Sequence, residues 1–138
     1  MSGARAAIPV LGFRAGELAL AIAAEDVVAV ESLAADCVHI AKLLTIAPGP
    51  RTDARRRIRV RGRASRDEAV EIDSFAADPP VEMLLCRAQD IVPAAAGGPL
   101  MFQPPVMGCA HIGQRLLLLL DISGLIRALR ELRSGGQT

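Results

Sequence analysis

A chain of 138 residues that is 51% hydrophobic, with a formal net charge of +1, has enough apolar material for one domain with a buried core. The near-balanced charge excludes a whole-molecule pull toward nucleic acid or anionic lipid, and three aromatic residues, all Phe, offer little for base stacking. Cys37, Cys86 and Cys109 are an odd number at wide spacing with no Cys-x-x-Cys, which reads as buried, reduced thiols rather than a disulfide framework.

The opening MSGARAAIPVLGF carries one Arg and a short apolar stretch broken by Pro9, so no secretory leader is expected and the location is read as cytoplasmic. VLGFRAG predicts a strand ending between Gly12 and Gly16. ELALAIA alternates around Leu18, Leu20 and Ile22, the pattern of a half-buried strand. The acidic pair Glu25-Asp26 leads into VVAVESL, rich in β-branched residues suited to a strand. DCVHIAKLL predicts a short strand followed by a turn of helix, and the Pro and Gly of APGPRTDA predict a loop.

RRIRVRGR has period 2, which places Arg57, Arg59, Arg61 and Arg63 on one face and Ile58 and Val60 on the other. DEAVEIDSF is its expected hairpin partner, joined by RASR. The basic row admits an anionic partner, nucleic acid included. The favoured reading is a solvated edge strand that charge protects from aggregation, partly neutralised by Glu68, Glu71 and Asp73. Nucleic acid is disfavoured as a partner for want of stacking side chains.

After a Pro- and Gly-rich region from Pro93 to Pro105, PPVMGCAHIGQRLLLLLD predicts two strands joined at Ile112-Gly113-Gln114. The run Leu116–Leu120 lies between Arg115 and Asp121, far short of the roughly 20 apolar residues that span a bilayer. It predicts a central strand, apolar on both faces. Asp121 is the expected N-cap of a helix over 122–133, with Ile122, Leu125, Ile126, Leu129 and Leu132 on its apolar face. Arg127, Arg130 and Arg133 suit the negative end of the helix dipole, and 134–138 form a tail. Many short strands with regular turns favour a β-barrel or sandwich.

Two further patterns bear on function. VHIAKLL (38–44) matches LDISGLI (120–126) position by position, with His39 standing where Asp121 stands; a duplication would give two sub-barrels, each closed by a strand and a helical turn. Cys37-x-His39 and Cys109-x-His111 each place two ligand types on one face of a strand, a pattern open to zinc. Ordinary core cysteines with incidental histidines are the favoured reading, so no metal or other cofactor is expected. No Gly-x-Ser-x-Gly, P-loop or dinucleotide fingerprint occurs, Ser65 and Ser123 lack an evident base, and no catalytic residue or small-molecule substrate is assigned.

In order and spacing, VLGFRAGELALAIAAEDVVAV, RRIRVRGRASRDEAVEIDSF with Ile72-Asp73, and PPVMGCAHIGQRLLLLLDISGLI with Gly108 resemble the CheW-like domain, the adaptor fold of bacterial chemosensory arrays. The resemblance covers most of residues 10–127. It implies a mainly β domain of two SH3-like sub-barrels, the first mainly from about 17–50 and the second from about 55–121. One departure stands out. Such domains place roughly 20 residues, a hairpin of short strands, where this chain runs from Leu33 almost directly into Asp36-Cys37-Val38. The first sub-barrel is therefore expected to be reduced or open at one edge. The resemblance further implies a non-catalytic adaptor that binds the cytoplasmic domain of a chemoreceptor (a methyl-accepting chemotaxis protein). Another CheW-like protein or a CheA-type histidine kinase would be a further partner, with kinase binding weakened or lost. The implied receptor groove would draw on Phe13, Val27, Val30, Asp73 and Phe75.

Overall fold

The structure, a computed structural model, describes residues 7–33, 37–62, 71–93 and 105–135. In chain order its strands are β1 (Ala7–Ala15), β2 (Leu18–Ala23), β3 (Val27–Ser32), β4 (Arg56–Gly62), β5 (Glu71–Arg87), β6 (Ile91–Pro93), β7 (Val106–Ile112) and β8 (Arg115–Leu120). Helix α1 (Ile40–Leu43) follows β3, and α2 (Ile122–Gly135) follows β8. The strands form one eight-stranded sheet in the order β3-β4-β5-β1-β2-β8-β7-β6. All neighbours are antiparallel except β2 and β8, which run parallel through Leu20 opposite Leu118.

The long strand β5 links two regions of the sheet. Its first part, Glu71–Ala77, pairs with β4, and its last part, Glu82–Arg87, pairs with β1. The register breaks between them, opposite Gly12–Arg14, where Asp78-Pro79-Pro80 crosses. Proline has no N–H to give a ladder, so it is tolerated at such an irregularity.

Alternation on the shared strands then builds two cores. Leu20, Ile22, Leu118 and Leu120 face one core, with Phe13, Ile58, Phe75 and the apolar side of α2. Ala21, Leu117 and Leu119 face the other, with Val10, Cys86 and Ala110. Successive strand residues point to opposite faces, so a strand between two cores must be apolar at every position. This is why the leucine run reads as it does: Leu117 to Leu120 are buried, whereas Leu116 at its start is half exposed. β2 is likewise covered on both faces, more than its alternating pattern predicted.

Several boundaries differ from expectation. β3 and β4 pair directly, and one core draws on residues from both 17–50 and 55–121. β4 is an interior strand between β3 and β5, and the Arg-rich strand is not an edge; β3 stands at that end of the sheet order. Local charge could not reveal this, because the neighbour of β4 lies more than twenty residues earlier in the chain. β5 extends well beyond Phe75, and β6 was not foreseen. Arg63, Glu68 and the RASR connection lie outside the described residues.

The helix starts bear out the match between VHIAKLL and LDISGLI at the level of local structure. Asp121 Oδ2 accepts the Gly124 N–H at 3.0 Å, and the Asp121 carbonyl accepts the Leu125 N–H at 2.8 Å, which makes it the N-cap. His39 plays the same part for α1, its Nδ1 accepting the Ala41 N–H at 3.0 Å. Both helices pack into the same core, through Ile40 and Ala41 and through Ile122, Leu125, Ile126 and Leu129. The repeat therefore does not close two separate cores. No helix among the described residues is long and apolar enough to cross a membrane.

Candidate functional site

The five residues expected to line a groove are not brought together at the surface. Phe13 and Phe75 are buried, their ring centroids 5.3 Å apart and tilted by 51°. Both project from the core side of β1 and β5. Val27 is half-buried against the same core, and Val30, opposite Ile58 on β3, is 43% exposed. Asp73 is buried and accepts the Ser74 N–H at 2.8 Å. Arg133 of α2 grips it with both terminal nitrogens, Nη1 donating to Oδ2 at 2.9 Å and Nη2 to Oδ1. Asp73 thus fastens the end of the helix to β5, a structural task, and Val30 alone of the five is substantially exposed.

On β4, Ile58 and Val60 point inward while Arg57, Arg59 and Arg61 stand on the other face, as the period of 2 predicted. Their counter-charge comes from β3, with Arg59 Nη2 3.1 Å from Glu31 Oε1 and Arg57 at 4.0 Å. Asp73 pairs across from Val60 and is committed to Arg133, so it does not neutralise this row.

Both ring nitrogens of His39 are engaged, one with Ala41 and the other with Asp78. Cys109 is buried on β7 while His111 beyond it is exposed, and among the described residues no three metal-ligating side chains converge. All three cysteines are free; Cys86 and Cys109 are buried and Cys37 is half-buried. Burial pushes the Cys37 thiol up, against a hydrogen bond with Ser74 that pulls it down.

Two features carry no signal in the local sequence. The first is an apolar outer strip. Met83 and Leu85 of β5 are 59% and 67% exposed and pair with Leu11 and Pro9 of β1, Pro9 being exposed as well. Leu84 and Cys86 between them face the second core. The apolar run MLLC signals a strand with two apolar faces, yet only one face is covered. Contiguous apolar surface on a folded domain marks a contact site more often than isolated exposed residues do.

The second feature is Asp78, only 4% exposed. Its Oδ2 accepts the backbone N–H of Gly16 at 2.8 Å and of Gly49 at 2.7 Å. Its Oδ1 accepts from His39 Nε2 at 2.9 Å and Arg55 Nε at 3.1 Å. Because His39 Nδ1 accepts from Ala41, the imidazole proton sits on Nε2 and is donated to Asp78. Burial alone would raise the Asp78 carboxyl, but the Gly16 N–H, His39 and the Gly49 N–H together hold it below the usual carboxylate range. The residues around it border an open cleft of about 580 Å³ between Gly16–Leu18 and Ile46–Pro50. Asp26 goes the other way: burial, then the charge of Asp121, raises its carboxyl, and Arg61 partly offsets this.

Opposite pH dependences follow. A depressed carboxylate stabilises the fold fully above its unfolded value near pH 4, and that contribution is lost as pH falls through the lower folded value. A raised one disfavours folding at neutral pH, and relief comes as pH falls through its folded value. Urea melts from pH 7 downward should therefore show the stability gap between wild type and Asp78→Asn closing below about pH 4. A gap that stays constant to pH 2 would contradict the assignment.

No family model matches the sequence, and no curated protein does. Among solved structures the chain is similar to the scaffolding protein TtCheW from Thermoanaerobacter tengcongensis, with a TM-score of 0.68 and 13% sequence identity. The match covers 88% of this chain and 89% of that one. At so low an identity the likeness establishes a shared fold alone: the mainly β architecture expected from the sequence is similar to that of this scaffolding protein.

Proposed function

We propose that this chain is a non-catalytic adaptor of a bacterial chemosensory array, acting in the cytoplasm and docking the cytoplasmic tip of a chemoreceptor. The observation that carries the reading is the CheW scaffold fold with an apolar strip, Met83, Leu85 and Pro9, left on its outer face. A docking surface for a helical receptor tip needs apolar anchors on a rigid support, and two paired strands supply both. The five residues first expected to form the groove serve this reading differently: Phe13, Phe75 and Asp73 hold the support, Val27 packs against it, and Val30 stands apart on β3.

The passage from Ser32 to Val38 is too short for the hairpin that such domains place there, and a surface that is absent contributes nothing to a kinase contact. Kinase binding is therefore weakened or lost, while contact with another CheW-like protein is retained. The alternative of an anionic partner on the Arg row loses ground because Glu31 already engages Arg59.

A pull-down tests the reading. The chain should retain a receptor cytoplasmic tip and hold the kinase regulatory domain weakly. Absence of receptor binding would overturn the adaptor role. Stoichiometric kinase binding would overturn the loss of that contact.

A further inference from the structure

We propose that residues 46–55 form a strap latched shut by the Asp78 carboxylate, able to open while the sheet beneath stays folded. The strap's ends are fixed: Ile46 packs against the first core, and Arg55 leads into β4. Between them, Ala47, Pro48 and Pro50 to Ala54 are exposed, and only Gly49 is half-buried. Among the described residues, the hydrogen bond joining segment 47–52 to the sheet is that from the Gly49 N–H to Asp78 Oδ2. Arg55 closes the loop on itself, its Nη2 donating to the Gly49 carbonyl at 2.9 Å while its Nε donates to Asp78 Oδ1 at 3.1 Å.

The fit requires glycine on both sides of the latch. Gly16 has φ +61°, and a Cβ there would lie 2.3 Å from the Ala47 carbonyl oxygen. A Cβ on Gly49 would lie 2.9 Å from Asp78 Oδ2. One carboxylate therefore joins the β1–β2 turn, the α1 cap and both ends of the exposed segment. The strap buries little apolar surface of its own, so opening exposes little. That is the physical condition for a local transition separate from global unfolding. Because the strap is one wall of the cleft beside Leu18, the cleft exists only while the latch holds.

Native-state hydrogen exchange on the full wild-type chain tests this. The Gly49 amide should exchange at least about tenfold faster than the Leu20 amide in the core, by an opening that low denaturant does not accelerate. Exchange of Gly49 in step with Leu20, rising equally with denaturant, would overturn the proposal. In Asp78→Asn, trypsin should cut after Arg51 and Arg55 about tenfold faster or more, with the strands resistant. Cleavage spread evenly over the chain, in a variant that is folded, would also overturn it. If Asp78→Asn does not fold, Gly49→Ala supplies the milder perturbation, with the same sites expected to open.

Discussion

Replacing Phe75 with alanine should lower stability by about 3–5 kcal/mol, the range for truncating a large aromatic in a well-packed core. Phe75 is fully buried, with its ring against that of Phe13 and its strand flanked by β4. The removed volume cannot be refilled readily, because its neighbours sit on paired strands and cannot collapse inward without breaking ladder hydrogen bonds. Thermal unfolding should shift down by about 10–20 °C, and urea melts should give the free-energy change directly. If Phe75 lined an open groove, the same change would cost little stability and mainly weaken partner binding. A loss below about 1 kcal/mol would therefore contradict the core placement.

Leu85→Asp should produce the opposite profile. Leu85 is 67% exposed, so the fold should lose no more than about 0.5 kcal/mol. Binding to a receptor tip should weaken about 30-fold or more, the equivalent of losing an anchor of about 2 kcal/mol. A charge set into an apolar contact must be desolvated without a partner, which is why aspartate is a more severe test than alanine. Met83→Asp should act in the same direction, while Arg59→Gln should leave receptor binding unchanged. Calorimetric titration measures all three. Wild-type affinity in both Leu85→Asp and Met83→Asp would remove the β5–β1 strip as the docking face, and loss of binding in Arg59→Gln would point to the Arg row instead.

Much of the fold was legible because it is encoded locally. Period-2 alternation located β4, and the five-leucine run located a strand covered on two sides. Asp121 was readable as a cap because capping needs one side-chain oxygen and the next few N–H groups, all within one turn. The match between VHIAKLL and LDISGLI was readable for the same reason, and it correctly set His39 in the position of a cap.

The site was less legible because it depends on contacts far apart in the chain. Apolar character marks Phe13, Phe75, Met83 and Leu85 alike, yet the first two are buried and the last two are exposed. Which face of a strand is covered depends on what packs there, and that is decided by sheet order and by where α2 lies. The same holds for charge. Asp73 and Asp78 lie only five residues apart, and nothing in their immediate neighbours distinguishes their roles. Their roles come from Arg133, Gly16, His39, Gly49 and Arg55, which only folding brings to them. Sequence alone determined β1 to β4, the start of β5, β7, β8, the closing helix and its cap, because these rest on neighbours within a few residues. The tertiary structure decided the interior place of the arginine strand, the carboxylate latch and the open apolar strip, because each is set by pairing between distant segments.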